Sequence, residues 1–242
     1  MLPRREHLFH SAKPHKKCRC ERVSGVVTKI KYKNLIKVLK KVLLPVFYLP
    51  PISWFSVFLS EDSEIVFEQF ESFPKQTYRN RTTIYGANGR LSLIIPMNHN
   101  GKRTMHEIEV SHRDNWLNIH WKSIKIAYQS SPYFEFYEDK LQEIFSFQTN
   151  SLSEFNLNAL RILQKILKTE KPYTLNKEYF KIPSEENYRE SFSAKKESEF
   201  DTAEYYQTFS DKYGFLPDLS IVDLICNKGP EALTYLKNIQ TK

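Results

Sequence analysis

Glycine is scarce in this sequence, with six residues in 242. The phosphate-binding loops of common nucleotide-binding folds need several closely spaced glycines, because the backbone must approach the phosphates without a side chain in the way. The glycines here are too few and wrongly spaced for either nucleotide fingerprint. The sequence therefore excludes both phosphate-loop motifs, and it contains no internal repeat.

Cysteine is equally scarce, and Cys18, Cys20 and Cys226 make an odd number with no disulfide framework. Such usage indicates a reducing compartment, and we expect a cytoplasmic protein. The histidines near the first two cysteines do not have the spacing of a tetrahedral zinc motif, and a basic segment would repel a cation. We expect neither a metal nor another cofactor.

The excess of positive charge, formally +8, is confined to one end of the sequence. Residues 1–45 contain 13 Lys and Arg against two Glu, which leaves 23 against 26 acidic residues in the rest. We predict a disordered basic arm over residues 1–41 and a single domain over 42–242. One hypothesis is that the arm reflects a misassigned start, with translation beginning near Val42. Another hypothesis is that the arm binds nucleic acid. The rest of the chain is slightly acidic and would not attract nucleic acid, so we do not expect this partner.

The longest apolar run, residues 42–59, contains no charged residue. Its length is at the short end for a transmembrane helix, so a membrane span is one interpretation. Pro45, Pro50 and Pro51 argue against a span, because each interrupts backbone hydrogen bonds that a helix must keep within lipid. We instead predict a strand, a helix and a second strand, over residues 43–49, 52–60 and 63–68.

Residues 75–97 have the pattern of a β-hairpin. Asn88-Gly89 suits a type I′ turn, since both residue types tolerate a positive φ, and it joins two runs of strand-forming residues over 78–87 and 90–96. A further run over 104–110 is predicted to add a third strand. These strands together are predicted to form an antiparallel meander.

Arg79 and Arg81 are the main candidates for ligand binding in this hairpin. Side chains alternate along a strand, so the two guanidiniums should lie on one face, about 7 Å apart. Such a pair can hold a phosphate or carboxylate through bidentate hydrogen bonds, and Lys75 can reinforce the site. The alternative is a solvated strand face without a ligand.

Several helices are predicted after the meander: one capped by Asp114, one over 133–145, one from a capping box at Ser151 to Lys168, and one capped by Asp218. Residues 171–214 contain ten aromatic residues and many charges but two aliphatic residues. We predict that this segment crosses the surface, pinned by its aromatic side chains. The fold class is predicted as α/β (or α+β), with a mixed sheet that opens strand-helix-strand, continues as the meander and is covered by helices.

Three blocks of sequence resemble the WbqC-like protein family of bacteria over about residues 43–238. The blocks occur in the order and at the spacing of that family, and residues before Leu43 lie outside the pattern. They comprise Tyr48-Leu-Pro-Pro-Ile-Ser-Trp-Phe55; residues 75–96 with Trp116, His120-Trp121, Tyr128 and Ser131-Pro-Tyr-Phe134; and Tyr206-Gln207, Gly214-Phe215, Leu219-Ser-Ile-Val-Asp223 and Gly229-Pro230.

The resemblance implies a protein from gene clusters for O-antigen and other surface polysaccharides. It implies transfer of an acyl or aminoacyl group to the amine of a nucleotide-linked amino sugar, with that sugar and an activated donor as partners. The alternative is a subunit that binds a ligand or assembles a polysaccharide complex without catalysis.

Acyl transfer to an amine needs a base that accepts the ammonium proton and groups that hold anionic substrates. His120 is the predicted base, because imidazole titrates near neutral pH, and Asp223 is predicted to orient it or to bind a ribose hydroxyl. The alternatives are a core histidine and a surface carboxylate. The residues predicted to contact the ligand are Tyr48, Lys75, Arg79, Arg81, Tyr128 and Gln207.

Overall fold

The computed structural model describes residues 39–98, 101, 104–181, 183, 186–194 and 198–241. The predicted arm thus falls almost wholly outside the described residues, although the first strand already begins at Lys40. The strands are β1 (Lys40–Pro45), β2 (Ser63–Glu68), β3 (Arg81–Gly86), β4 (Gly89–Ile94), β5 (Tyr173–Leu175), β6 (Glu186–Asn187), β7 (Phe200–Asp201) and β8 (Gln240–Thr241). The helices are α1 (Ile52–Phe58), α2 (Trp116–Tyr128), α3 (Phe134–Ser146), α4 (Leu152–Ile166), α5 (Ser210–Tyr213), α6 (Ile221–Lys228) and α7 (Ala232–Lys237).

Four parallel strands form the larger sheet, in the spatial order β5-β2-β1-β6. β1 pairs with β2 in parallel and α1 lies between them in the chain, which confirms the predicted strand-helix-strand opening and the α/β class. The chain adds β2 and then β5 on one side of β1, and β6 on the other side. This reversal beside β1 is a topological switch point, where open α/β sheets commonly bind ligands.

The apolar run 42–59 divides into a strand and a helix at its prolines. Trp54 and Phe58 of α1 stack with ring centroids 5.2 Å apart, and Trp54 also stacks on Phe67 of β2 at 5.9 Å. The indole Nε1 of Trp54 donates a hydrogen bond to the Pro45 carbonyl at 3.0 Å. Within the described ranges, no helix has both the length and the apolar character that crossing a membrane requires.

Residues 171–214 contribute more to the fold than the predicted surface crossing. They supply β5 and β6 to the larger sheet, and Phe192 and Phe200 are buried. β5 and β6 have three and two residues, so they carry no strand pattern of their own. Their place follows from main-chain hydrogen bonds to β1 and β2, whose edges would otherwise leave donors and acceptors unpaired.

β3 and β4 form the predicted antiparallel hairpin as a separate two-stranded sheet. Its loop consists of Ala87 and Asn88, and Gly89 follows with a φ of 94°, so the predicted I′ turn at Asn88-Gly89 is wrong. The predicted third strand contains a short 3-10 helix at Met105–Glu107 instead. The Glu107 carboxylate accepts a hydrogen bond from the Thr104 N–H at 3.1 Å, which favours a turn over an extended chain.

α2, α3 and α4 occupy the predicted helical segments and bury one face each. Ser151 caps α4 as predicted, with its hydroxyl accepting from the Glu154 N–H at 3.3 Å. α6 is capped by Ser220 and not by Asp218. The Asp218 carboxylate instead accepts hydrogen bonds from the N–H and the hydroxyl of Ser53, both at 2.8 Å, and so ties α6 to α1.

Candidate functional site at the carboxyl edge of the sheet

Polar side chains follow three of the parallel strands at the edge where their carboxyl ends meet. Glu68 is the last residue of β2, Asn176 follows β5, and Arg189 lies two residues beyond β6. All three residues are buried. Because parallel strands end at the same edge, positions that are far apart in the sequence converge here.

Glu68 and Arg189 form a buried ion pair. Arg189 Nε donates to Glu68 Oε2 at 2.7 Å, and Arg189 Nη2 donates to the same oxygen. The other carboxylate oxygen, Oε1, accepts from Asn176 Nδ2 at 2.6 Å and from the Phe70 N–H at 2.8 Å. Four donors therefore replace the water that this fully buried carboxylate has lost.

A second ion pair, between Glu71 and Arg79, adjoins the first. Arg79 Nε and Nη2 donate to the two carboxylate oxygens of Glu71 at 2.5 and 2.6 Å, and Nη2 also donates to the Arg189 carbonyl at 3.1 Å. The third nitrogen, Nη1, makes no hydrogen bond within the part of the chain that the structure describes. Burial raises the pKa of the Glu71 carboxyl, and the nearby Arg79 charge opposes this rise only in part.

The two ion pairs border a cavity of about 540 Å³, which we call the carboxyl-edge cavity. This volume lies within the range of small-molecule sites. Its wall includes the charged residues Glu71, Arg79, Arg189 and Glu190, the polar residues Ser72, Gln76 and Thr77, and the aromatic residues Phe70, Tyr179 and Phe192.

A second cavity, of about 740 Å³, lies next to it and is called here the hairpin cavity. Ser72 and Gln76 belong to the walls of both cavities. The hairpin cavity is also lined by Lys75, Asn80 and Arg81, and its described lining includes no carboxylate. Arg81 Nε and Asn80 Oδ1 are buried and have no hydrogen-bond partner in the described residues. One of these atoms is a donor and the other an acceptor, and buried polar atoms without a partner are unusual in proteins, which makes the hairpin cavity a candidate ligand site.

Arg79 and Arg81 do not lie side by side, so the predicted paired-arginine clamp is wrong. β3 begins at Arg81, and residues 78–80 form a turn. The alternation of side chains along a strand therefore does not extend back to Arg79. Arg79 borders the carboxyl-edge cavity, whereas Arg81 and Lys75 share the hairpin cavity.

His120 and Tyr48 contact each other in the core. The Tyr48 hydroxyl lies 2.9 Å from His120 Nδ1, and the two rings stack with centroids 5.7 Å apart. Burial lowers the pKa of His120 to about 4, with a backbone hydrogen bond to Ile94 opposing the shift in part. His120 is 4% exposed and lines neither cavity, which favours the alternative of a core histidine over the predicted base.

Asp223, Gln207 and Tyr128 also lie in the core, away from His120. Gln207 Nε2 and the Tyr205 hydroxyl donate to Asp223 Oδ2 at 3.0 and 2.5 Å. Tyr128 accepts a hydrogen bond from the Tyr85 N–H at 3.1 Å. Asp223 therefore does not orient His120 as predicted. The cluster joins α6 to the chain before α5, and we assign it a structural role.

The Asp223 cluster has a measurable pH dependence. Burial raises the pKa of Asp223 from 3.8 to about 6. The folded protein thus takes up this proton at a higher pH than the unfolded chain does. The free energy of unfolding therefore increases as the pH falls from about 6 towards 4. We expect Asp223→Asn to remove a gain of about 2 kcal/mol at pH 4 relative to pH 7, measured by urea denaturation. A variant whose stability follows the wild-type pH profile would contradict the raised pKa.

Cys226 does not supply a nucleophile at this site. Burial raises the pKa of its thiol well above the usual value, so the reactive thiolate is not formed near neutral pH. In the described ranges, no group of three or more His, Cys, Asp and Glu side chains is arranged to hold a metal ion.

Sequence reasoning missed Glu68, Glu71 and Arg189. Glu68 had a usable signal, because it ends a strand whose bounds were predicted correctly and ligand sites favour such ends. Arg189 had none, since it follows a strand of two residues.

Comparison with known proteins adds a family and one distant relative. The model of the family described as "WbqC-like protein family" matches residues 46–197, more than half of the chain. A protein of Mycobacterium tuberculosis described as "Uncharacterized protein Rv1507c" is 25% identical over 225 residues, which cover 78% of this chain and 94% of the relative. No solved structure matches the chain significantly.

Proposed function

Since this chain belongs to the WbqC-like protein family, we propose that it transfers an acyl or aminoacyl group to the amine of a nucleotide-linked amino sugar in surface polysaccharide biosynthesis. Its partners are that sugar and an activated donor. We place the reaction in the cytoplasm, because the odd cysteine count favours a reducing compartment.

The observation that carries this proposal is the charge of the hairpin cavity. Lys75 and Arg81 bring two positive charges to its wall, and the described lining holds no carboxylate to neutralise them. Arg81 Nε is a buried donor without a partner. A phosphate or pyrophosphate group in this cavity would offset both positive charges through charge-assisted hydrogen bonds. The nucleotide end of the substrate is therefore assigned to this cavity.

The transfer step forms a bond between the sugar nitrogen and the acyl carbon of the donor. The bond from that carbon to the leaving group breaks, the leaving group keeps the electron pair, and the second proton that the nitrogen loses on forming the amide passes to the leaving group. The ammonium form of the sugar must first give a proton to a base, so that its nitrogen has a free electron pair. His120 lies outside both cavities, so we assign the base to another residue.

Arg81→Gln should weaken the binding of uridine and thymidine diphosphates and of their sugars by about tenfold or more, because a charged hydrogen bond to phosphate contributes about 1.5 to 3 kcal/mol. Isothermal titration calorimetry measures this change. The matched control is Arg90→Gln on the same hairpin, which loses the same charge and a hydrogen bond to the Pro217 carbonyl but lines neither cavity. Equal affinities in the two variants would overturn the assignment of the hairpin cavity.

A subunit without catalytic activity is the second candidate function. The burial of His120 favours this candidate, because the residue predicted to act as the base is not accessible. Both functions predict Arg81-dependent binding. They differ in product formation, which mass spectrometry detects as an acylated nucleotide sugar in mixtures of protein, nucleotide amino sugar and acyl thioester. Binding without product for any donor class would favour the subunit.

A further inference from the structure

The two neighbouring cavities differ in charge. The hairpin cavity is lined by the cations Lys75 and Arg81, whereas the carboxyl-edge cavity is lined by two arginines and two glutamates whose formal charges cancel. In the carboxyl-edge cavity, Glu71 already neutralises the Arg79 guanidinium through two hydrogen bonds. A phosphate would have to compete with Glu71 there, so this cavity suits a group that is neutral or positive.

The segment between the cavities places them within reach of one ligand. Ser72 and Gln76 contribute to both walls. Gln76 has a φ of 62°, in the left-handed region that side chains other than glycine rarely adopt. Backbone strain of this kind persists where the surrounding structure requires it, and it is common at ligand sites.

We propose that the carboxyl-edge cavity binds the ammonium-bearing polar ring of a ligand whose phosphates lie in the hairpin cavity, and that the Glu71 carboxylate accepts a hydrogen bond from the ammonium. The placement of the phosphates rests on the proposed function. The assignment of the ring and of Glu71 comes from the charge and shape of the carboxyl-edge cavity.

Glu71 suits this role because its carboxylate is held in place and still has capacity to accept. The bidentate bond to Arg79 fixes its orientation and uses one lone pair on each oxygen, which leaves further acceptor sites. Burial raises the pKa of this carboxyl, and the Arg79 charge opposes the rise in part, so the carboxylate accepts a proton more readily than an exposed glutamate does. In the transfer step, the ammonium proton passes to Glu71, and the sugar nitrogen keeps the electron pair that attacks the acyl carbon of the activated donor.

Aromatic side chains in the wall suit the C–H faces of a sugar ring. Phe70, Tyr179 and Phe192 line the carboxyl-edge cavity, and the residue Tyr179 is 50% exposed. The guanidinium of Arg189 lies 4.6 Å from the centroid of the Tyr179 ring and supports it. Flat apolar surfaces beside paired charged groups combine shape with hydrogen-bond specificity, as small-molecule sites require.

The test compares nucleotide sugars in matched pairs that differ by an amine in place of one hydroxyl, with the parent nucleoside diphosphate as a third ligand. At pH 7, the wild-type protein should bind the amine member of a pair about tenfold or more tightly than the hydroxyl member, as expected for a charge-assisted hydrogen bond. Glu71→Gln should lose this preference, because a neutral amide does not favour the ammonium over a hydroxyl. Its affinity for the nucleoside diphosphate alone should not fall, because Lys75 and Arg81 are unchanged.

Tyr179→Ala provides a second variant that leaves both ion pairs intact. It should weaken the sugar-bearing ligands several-fold and leave the nucleoside diphosphate unaffected. Tyr206→Ala is the control, since Tyr206 is also exposed but lines neither cavity. If no pair shows a preference for the amine, or if Glu71→Gln keeps it, the proposed role of Glu71 is wrong.

The outcome is independent of whether the protein is an enzyme. The amine preference is a difference between two affinities, so it persists if no acyl transfer occurs. Conversely, if phosphate binding does not depend on Arg81, the proposed function is wrong. The effect of Glu71→Gln on the amine preference can still be measured in that case.

Discussion

Arg189→Met is expected to lower the free energy of unfolding by about 3 to 5 kcal/mol, the usual cost of removing one partner from a buried ion pair. Glu68 is fully buried, and Arg189 supplies two of its four hydrogen-bond donors. Without Arg189, the Glu68 charge would remain in the protein interior with the donors of Asn176 and Phe70 alone. Urea denaturation followed by circular dichroism measures the loss.

Two further variants show whether the Glu68 charge causes this loss. Adding Glu68→Gln to Arg189→Met should recover part of the stability, since the amide oxygen still accepts hydrogen bonds but carries no charge. Lys237→Met breaks the exposed ion pair with Glu61, whose Nζ–Oε1 distance is 2.8 Å, and should change stability by no more than about 1 kcal/mol. A loss for Arg189→Met as small as for Lys237→Met would contradict a buried charged pair.

His120→Gln should remove an acid-dependent loss of stability on the order of 3 kcal/mol between pH 7 and pH 4. Burial lowers the pKa of His120 from 6.5 to about 4. The unfolded chain therefore binds a proton in this range while the folded protein does not, so the free energy of unfolding falls as the pH falls. The stability that neutral His120 contributes is fully present above pH 6.5, where the imidazole is neutral in both the folded and the unfolded protein. Denaturation curves at several pH values measure the difference between variant and wild type.

The control for this experiment is His112→Gln, which replaces an exposed histidine. It should leave the acid-dependent loss of stability that comes from His120 in place. His120 and Asp223 act in opposite directions between pH 6 and pH 4, because one pKa is lowered and the other is raised by burial. The wild-type profile is thus flatter than either group alone would produce. If His120→Gln keeps the wild-type loss of stability at acid pH, the lowered pKa of the imidazole is wrong.

The hairpin shows how far a local pattern can position side chains. Its two strands follow from alternation and turn residues, and both form. The prediction for Arg79 fails because the strand starts at Arg81, three residues later than the predicted run, and the alternation of side chains applies only within the strand. Arg79 then turns to Glu71, a partner eight residues away whose position depends on the end of β2.

The buried residues mark a second limit. His120 and Asp223 have the chemistry of a catalytic pair, but sequence does not show how deeply a polar group is buried or which partner it meets. The structure places them in separate hydrogen-bond clusters, with Tyr48 and with Gln207 and Tyr205 respectively. Each cluster supplies hydrogen bonds to polar groups within the core, although Asp223 Oδ1 has no partner among the described residues.

By itself, the sequence determined the α/β class, the opening strand-helix-strand unit, the hairpin, the main helices and the family, since these depend on periodicity and on short motifs along the chain. Only the tertiary structure decided which charged side chains meet. Glu68 and Arg189 are 121 positions apart, and their contact depends on parallel strands that end at one edge of a sheet. Strand order is set by main-chain pairing and core packing, which no local stretch of sequence records.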